Sequence, residues 1–340
     1  RKKNIILLAG ALLIVIQGIN MFKSKPDKNA EMNIQYISEG LLGQIKVADM
    51  TDKNSGYPLR YLLVNGIGQT RIINAPNAVS FWQYVHRLSI FSSMKKKAGK
   101  DGERSRTKAL LFGFGAGSVT NELNRLGIHV DGVEIDERML EVAENYFYFN
   151  DSTTKFIVDD ARHFIMTNEK KYELIIFDLL NGEIQPSYLF TVEAINRVKT
   201  FLDKDALVIV NFQELMDTKE IYVYKSIMRT FEKCGFNVYA STDNEKGGLS
   251  DVIMLASEKE IDFGGLKKEN LTQCCAVQPW LDGLLKNPAA KLSPDDKQGV
   301  IFTDDRPMLD QLNFATVKAW RESMQVLISK PELNSGLKMF

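Results

Sequence analysis

Cysteine, histidine and net charge are all scarce in this 340-residue sequence. There are three histidines and three cysteines, Cys234, Cys274 and Cys275. An odd, sparse cysteine set without metal-ligand spacing argues against a disulfide framework or a structural zinc site, and it fits a reducing compartment. The 43 basic and 43 acidic residues cancel, so no strong attraction to a nucleic acid is expected.

The longest apolar run lies at the start of the chain. Residues 4–22 contain no charged side chain and follow Arg1, Lys2 and Lys3. As a helix this run would be about 28 Å long, close to the thickness of the hydrocarbon core of a bilayer. A secretory signal peptide is the alternative, but no small-residue cleavage site follows and the chain does not begin with Met. We therefore predict that residues 1–29 are a transmembrane helix and linker of a longer protein.

Short strands and a helix are predicted over residues 30–100. Residues 43–50 alternate between apolar and polar side chains, as a half-exposed strand does. Residues 61–66 end in an Asn-Gly dipeptide, which is typical of a tight hairpin turn. Helical spacing of apolar residues follows over residues 79–94. The polar run at 95–108 is expected to be a surface connection between two domains, with acidic lipid headgroups as an alternative partner.

Strands and helices alternate regularly over residues 101–258. Strands are predicted at residues 109–114, 129–134, 155–158, 174–178 and 207–212, with helices between them and a final strand pair at 237–240 and 252–256. Apolar strands joined by helices imply a parallel sheet covered on both faces, to which the final pair adds an antiparallel edge. Residues 259–340 are predicted to form a mostly helical extension. The fold class is therefore α/β, a Rossmann-like, methyltransferase-type sheet with a small N-terminal β-domain.

A glycine-rich turn follows the first strand of this sheet. Gly113, Gly115 and Gly117 precede a helix that begins at Ser118. Glycines let the backbone turn sharply close to a ligand, and a helix start offers free N–H groups. Glu134 ends the next strand, where a carboxylate accepts both hydroxyls of a ribose. Together these residues predict a nucleoside site.

Two further acids follow the third and fourth strands. Asp160 follows the third strand, where an acid accepts from the amino group of an adenine, and Asp178 ends the fourth. The carboxyl ends of parallel strands share one edge, which is where such sheets bind ligands. NAD is the alternative ligand, but the third glycine of its G-x-G-x-x-G motif is missing. For Asp178 alone, a helix N-cap is the alternative role.

The chain resembles the spermidine synthase (aminopropyltransferase) family over residues 39–212, in particular bacterial members fused behind a membrane domain. The matching stretches are, in order, GLLGQIKV, LLVNGIGQT, FWQYVHRL, the glycine loop, GVEID, VDDA and IIFDLLNGEIQPSYLFTVEAINRVKTFL. The resemblance implies that the sheet binds an S-adenosyl nucleoside and that Asp178 is the catalytic base. It implies nucleoside contacts by Gln44, Gly113, Gly115, Gly117, Glu134, Asp160 and Ala161. It places Gln69, Phe81 and Asn181 near the amine substrate.

Three departures from the family's pattern bear on the substrates. Ala116 stands where the glycine loop of the family has an acid, Asn181 replaces the second Asp of D-S-S-D-P, and Phe81 matches a family Tyr. Each lost carboxylate removes a charge-assisted contact to a cationic amine, about 1.5–3 kcal/mol. Two such losses would weaken diamine binding by about 100-fold or more. Without an acid at Ala116, ordinary S-adenosylmethionine becomes an alternative donor.

The favoured reaction is transfer of an aminopropyl group from decarboxylated S-adenosylmethionine to a small-molecule amine acceptor, without a metal. Asp178, with an ordinary pKa of about 4, would take a proton from the acceptor during or after its attack. Methyl transfer from S-adenosylmethionine and a nucleoside-binding domain without catalysis are the alternatives. The resemblance suggests a homodimer. The place where the donor is made suggests a cytoplasmic catalytic domain, anchored to the membrane by the N-terminal helix.

Overall fold

The computed structural model describes residues 32–52, 55–77, 79–97, 107–150, 153–179, 186–216, 223–242, 248–266, 278–292 and 299–329. The transmembrane helix predicted within residues 1–29 lies outside these ranges, and so does Asn181. Within these ranges, no helix is both long and apolar enough to cross a membrane. The described helices and strands all belong to one compact unit, Asn33–Phe340.

Four antiparallel strands form the first sheet, in their order along the chain. They are β1 (Asn33–Gly40), β2 (Gly43–Thr51), β3 (Pro58–Val64) and β4 (Ile67–Ile73). Asn65 and Gly66 join β3 to β4 with φ angles of 53° and 80°, and two positive φ angles are what a tight two-residue hairpin turn requires. The predicted Asn-Gly hairpin is therefore confirmed.

Eight strands form the second sheet. They are β5 (Lys108–Phe112), β6 (His129–Glu134), β7 (Lys155–Val158), β8 (Tyr172–Phe177), β9 (Leu202–Leu215), β10 (Asn237–Thr242), β11 (Leu249–Ser257) and β12 (Ala290–Lys291). Their order is β12-β10-β11-β9-β8-β5-β6-β7. β5 to β9 run parallel, whereas β11 is antiparallel to both β9 and β10. The predicted parallel sheet with an antiparallel strand pair is confirmed.

Helices connect and cover these strands. They are α1 (Gln83–Ser93), α2 (Ser118–Arg125), α3 (Arg138–Tyr146), α4 (Ala161–Thr167), α5 (Val192–Thr200), α6 (Val223–Lys233), α7 (Gln278–Lys286), α8 (Leu309–Leu312) and α9 (Phe314–Ser329). The region predicted to be mostly helical at the end of the chain therefore also contributes a short strand, β12, to the second sheet.

Different helices bury the two faces of the second sheet. Along β8, Ile175 and Phe177 pack on one face with α4, α5 and α6, while Leu174 and Ile176 pack on the other with α1, α2 and α7. Because neighbouring strand residues point to opposite faces, a strand covered on both faces is apolar throughout. The domain bounds predicted from the sequence place α1 with the N-terminal hairpins, whereas α1 packs on the second sheet. The domain bounds 30–100, 101–258 and 259–340 stay a prediction.

Candidate active site

A cavity of about 170 Å³ opens at the carboxyl edge of the second sheet. Its walls come from the glycine loop after β5, from the ends of β6, β7 and β8, and from β3 and β4 of the first sheet. Most of the predicted site residues line it, namely Gln69, Gly113, Gly115, Glu134, Asp160, Ala161 and Asp178. Gln44, Phe81 and Gly117 are not among its lining residues.

The glycine loop brings two backbone segments into contact beside the cavity. Gly113 has a φ of +89°, and a Cβ built on it would lie 2.1 Å from the carbonyl oxygen of Asp178. Any other residue would have to displace one of the two segments. Gly117, with a φ of 77°, stands immediately before α2. The free N–H groups of the first turn of α2 therefore lie beside the cavity, which Ser118 lines.

Glu134, the last residue of β6, is hydrogen-bonded to this loop. Its Oε2 accepts from the Gly115 N–H at 3.0 Å, and its Oε1 accepts from the Asp136 N–H at 3.1 Å. Burial raises the pKa of Glu134, and these N–H donors oppose the rise. Each carboxylate oxygen keeps a lone pair with which it can accept from a ribose hydroxyl. The side chain is therefore held in place before a nucleoside binds.

Asp160 caps the start of α4 and also lines the cavity. Its Oδ1 accepts from the His163 N–H at 2.9 Å, which caps the helix. Its Oδ2 lies 3.5 Å from the hydroxyl of Tyr188, which also lines the cavity. Arg162 donates to the Tyr188 carbonyl oxygen at 2.6 Å and forms an ion pair with Asp304 at 2.6 Å. The turn that contains Asp304 therefore supports this wall from behind.

Asp178 lies deep in the molecule, directly after β8, with part of its side chain open to the cavity. Its Oδ1 accepts from Nδ2 of Asn211 at 2.8 Å. Burial raises the pKa of Asp178 from 3.8 to about 6, and the Asn211 donor opposes that rise. The value of about 4 expected from the sequence is therefore wrong, because the fold withdraws this carboxylate from bulk water. With a pKa of about 6 the group is a stronger base that is still ionised at pH 7.

From the segment around α1, Tyr84 rather than Phe81 reaches the cavity. The ring of Phe81 packs against the guanidinium of Arg71, with 4.3 Å between the ring centroid and Cζ. Tyr84 lines the cavity. Its pKa lies well above the ordinary value, first because of burial and then because of the carboxylates of Asp178 and Asp251. A helical spacing does not by itself decide which aromatic side chain meets a ligand.

The part of the wall formed by β3 and α3 is apolar. Ala116 is 1% exposed and packs in one cluster with Leu62 and Met139. Gln44, which the resemblance assigns to the nucleoside, donates from Nε2 to Oε1 of Glu39 at 2.8 Å. The position where an acid would be expected is therefore occupied by a buried methyl group among other apolar side chains.

The lining of the cavity is acidic. Its carboxylates are those of Glu134, Asp136, Asp159, Asp160 and Asp178. Among the described lining residues there is no lysine, arginine or histidine. Behind the lining, Arg138 pairs with Asp136 through two contacts of 2.8 and 2.6 Å. Such a cavity favours a cationic ligand over one that carries a carboxylate.

The sequence does not assign three residues of the site, namely Asp136 and Tyr188, which line the cavity, and Asn211, which contacts Asp178. Asp136 carries a signal, since it follows Glu134 by two residues at the same strand end. Asn211 carries none, because only the order of strands brings β9 beside Asp178. No group of three or more His, Cys, Asp or Glu side chains in the described ranges is arranged to hold a metal ion. The expectation of a metal-free reaction stays a prediction.

Comparison with known proteins finds a matching family model and several curated relatives. A family model described as "Spermine/spermidine synthase domain" matches residues 90–261, about half of the chain. A polyamine aminopropyltransferase of Vibrio vulnificus is 34% identical over 125 residues, 35% of this chain and 41% of that protein. A polyamine aminopropyltransferase of Thermoplasma acidophilum is 30% identical over 112 residues, 31% of this chain and 41% of that protein. The chain thus spans about two fifths of the length of these curated relatives.

The fold is also found among solved structures. A probable spermidine synthase from Corynebacterium glutamicum superimposes with a TM-score of 0.54 at 17% sequence identity. The superposition covers 70% of this chain and 82% of that one. At this level of identity the likeness shows a shared fold.

Proposed function

Since the chain belongs to the spermine/spermidine synthase family, we propose that it transfers an aminopropyl group from decarboxylated S-adenosylmethionine to a small amine acceptor. Asp178 is the base in this proposal. The relatives named above are aminopropyltransferases, which supports the reaction class. The identity of the acceptor is a separate question that the acidic cavity narrows to amines.

The observation that carries the proposal is the charge of the cavity. Its described lining contains five carboxylates and no basic side chain. Both the decarboxylated donor, with a sulfonium and an ammonium, and an amine acceptor are cations. The carboxylate of ordinary S-adenosylmethionine would meet negative charge without a basic partner among those residues. Electrostatics therefore favour the decarboxylated donor.

Each part of the donor has a matching group in the cavity. Glu134, held by the Gly115 N–H, is placed to accept from the ribose hydroxyls. Asp160 and Tyr188 lie together at the wall proposed for the adenine. Beyond them, Asp178 and Tyr84 line the part of the cavity assigned to the sulfonium and the incoming amine.

The proposed reaction requires that the two substrates are aligned and that a base accepts one proton. The nitrogen lone pair of the acceptor forms a C–N bond with the carbon beside sulfur, the C–S bond breaks, and methylthioadenosine leaves with the electron pair. The sulfonium is a good leaving group, so the protein contributes mainly orientation. The proton lost from the acceptor nitrogen passes to Asp178, whose raised pKa of about 6 makes it a better acceptor than an ordinary carboxylate.

Methyl transfer from S-adenosylmethionine is the second candidate, and Ala116 is the observation that favours it. The buried methyl group of Ala116 does not repel the carboxylate of that donor as an acid at this position would. Asn181, which also departs from the family's pattern, lies outside the described residues. A third possibility is a domain that binds the nucleoside without turning it over.

Product analysis separates these candidates. The protein is incubated with decarboxylated S-adenosylmethionine or S-adenosylmethionine and a panel of amines, and the products are identified by mass. We expect methylthioadenosine and an aminopropylated amine from the decarboxylated donor. S-adenosylhomocysteine with a methylated amine would replace the proposal by methyl transfer. No product from either donor, with methylthioadenosine still bound, would indicate a binding domain.

Membrane anchoring, cytoplasmic placement and a homodimer are proposals of the same kind. The apolar run at residues 4–22 supports the anchor, and the place of donor synthesis supports the cytoplasm. Fractionation of cells that express the full chain would test the anchor, which predicts recovery in the membrane pellet after a high-salt wash. Light scattering of the detergent-solubilised protein would test the dimer.

A further inference from the structure

Asn211 lies beside Asp178 because of strand order. β8 and β9 are parallel neighbours in which Phe177 is level with Val210. The next residue along the chain is Asp178 after Phe177 and Asn211 after Val210. Asn211 is 5% exposed, so its amide is held inside the molecule.

The contact between these side chains has a defined direction. Nδ2 of Asn211 donates to Oδ1 of Asp178 at 2.8 Å. An ionised carboxylate only accepts hydrogen bonds, so the amide must present its N–H₂ group and not its oxygen. Among the described residues, none donates a hydrogen bond to Oδ2 of Asp178. One oxygen is thus held by the protein and the other remains for a ligand.

We propose that Asn211 is a positioning residue, which holds Oδ1 of Asp178 and thereby directs Oδ2 toward the amine acceptor. This inference rests on the proposed function, in which Asp178 is the base. A carboxylate without this contact would rotate about its terminal bond and present either oxygen. Orientation of a reacting group within hydrogen-bond reach is a large part of what a catalytic base needs.

The same contact acts on the charge of Asp178. A donor to the ionised form lowers the pKa, whereas burial raises it, and burial is the larger effect here. The other titratable groups that face Asp178 are the Tyr84 hydroxyl from α1 and the lining carboxylates of Glu134 and Asp160 from the strand ends. Among the described residues, Asn211 is the neighbour that lowers the pKa of Asp178 and so favours its ionised form against the effect of burial.

Two substitutions separate positioning from a merely structural role. Asn211→Leu keeps the branching at Cγ and removes the donor, while Asn211→Asp replaces the donor by a second carboxylate. Gln213→Leu is the matched control, because Gln213 lies two residues further on the same face of β9 and donates to Asp251 at 3.1 Å.

A direct titration is the first measurement. The carboxyl carbon of Asp178 is followed by ¹³C NMR in aspartate-labelled protein and assigned by its loss in Asp178→Asn. We expect its pKa to rise by about one unit in Asn211→Leu, and further in Asn211→Asp. It should remain unchanged in Gln213→Leu. An unchanged pKa in Asn211→Leu would overturn the proposal, as would an equal rise in Gln213→Leu.

The pH dependence of kcat/KM is the second measurement. In Asn211→Leu the acid limb should move up by about one pH unit, which makes the rate about tenfold lower at low pH. The affinity for methylthioadenosine should be retained. If the pKa of Asp178 shifts in Asn211→Leu but neither the unmodified protein nor any variant forms product, the proposed function fails, while the effect of Asn211 on Asp178 is supported. If product forms with an unshifted acid limb, the positioning role fails and the function stands.

Discussion

At the scale of single residues, Asp178 shows how two opposing effects set the chemistry of one carboxylate. Its sequence neighbours indicate only that an acid ends a strand. Burial then raises the pKa to about 6 while the amide of Asn211 holds it down. Neither effect is local in the sequence, because the cavity wall and Asn211 come from other elements.

Replacement of Asp178 by asparagine keeps the shape of the side chain and removes the base. We expect kcat to fall by about 10²- to 10⁴-fold, the usual contribution of a general base. The Kd for methylthioadenosine, measured by calorimetry, should be unchanged.

In the unmodified protein, kcat/KM should fall as the pH drops below about 6, because Asp178 becomes protonated there. A rate within a factor of two of the unmodified protein in Asp178→Asn would remove the assigned base.

Gly113 is held by its backbone geometry to a conformation and a contact that favour glycine. Gly113→Ala adds a methyl group 2.1 Å from the Asp178 carbonyl oxygen, whereas Gly56→Ala meets nothing within 4 Å, and both positions have positive φ. The strain of a positive φ is therefore shared, and the difference between the variants isolates the clash. We expect Gly113→Ala to lower the free energy of unfolding by about 2 kcal/mol more than Gly56→Ala.

Urea denaturation of both variants measures this difference. Methylthioadenosine binding should also weaken in Gly113→Ala and be kept in Gly56→Ala, since Gly113 borders the cavity and Gly56 does not. Equal stability of the two variants would show that the loop and Asp178 are further apart than described above.

At the scale of elements, the site depends on how the first sheet is held over the second. Arg138, at the start of α3, connects them. Its guanidinium makes two contacts with Asp136, at 2.8 and 2.6 Å, and also donates to the Ser38 hydroxyl and the Gly43 carbonyl oxygen, each at 3.1 Å. Ser38 lies on β1 and Gly43 begins β2, so one side chain ties the β1–β2 hairpin to the end of β6.

We expect Arg138→Leu to raise the Kd for methylthioadenosine by about 3- to 10-fold. Each lost hydrogen bond to a charged group costs about 1.5–3 kcal/mol, and part of that cost weakens the hold of the β1–β2 hairpin on the complex with the nucleoside. Calorimetry measures this change. Arg197→Leu is the control, since Arg197 donates to the Met166 and Asn168 carbonyl oxygens away from the cavity. Equal weakening of methylthioadenosine binding in both variants would contradict a specific role for Arg138.

At the scale of the whole molecule, buried acids make stability depend on pH. Glu214, on the part of β9 beyond Asn211, is 3% exposed and accepts from the N–H groups of Val223 at 3.2 Å and Tyr224 at 3.0 Å. Burial raises its pKa from 4.5 to about 7 despite these donors. The folded state thus holds a proton that the unfolded state releases. The stability from this group is complete below about pH 4.5 and is lost as the pH rises through about 7.

Glu214→Gln should flatten this dependence. The free energy of unfolding is measured by denaturation at pH 5 and at pH 8. Its decline between these two pH values should be smaller in the variant by about 2–3 kcal/mol, because each unit of pKa shift is worth about 1.36 kcal/mol. Glu141→Gln, at an exposed position on α3, is the control. A decline of the same size in Glu214→Gln and the unmodified protein would show that Glu214 is ionised in both states.

The sequence by itself determined the parallel sheet, the glycine loop and the acids that end its strands. These features are local: a buried parallel strand must be apolar throughout, and a ligand-binding turn must follow its carboxyl end. Glu134, Asp160 and Asp178 could therefore be assigned to one edge before their distances were known.

Only the tertiary structure decided which side chains from other elements complete the site, and how strongly they act. Tyr84 rather than Phe81 reaches the cavity because α1 packs on the second sheet with one particular turn toward it. Asn211 meets Asp178 because β9 is the neighbour of β8. The pKa of Asp178 rises because several elements together exclude water from it. Burial and strand order are properties of the packed chain, so no pattern within a single segment carries them.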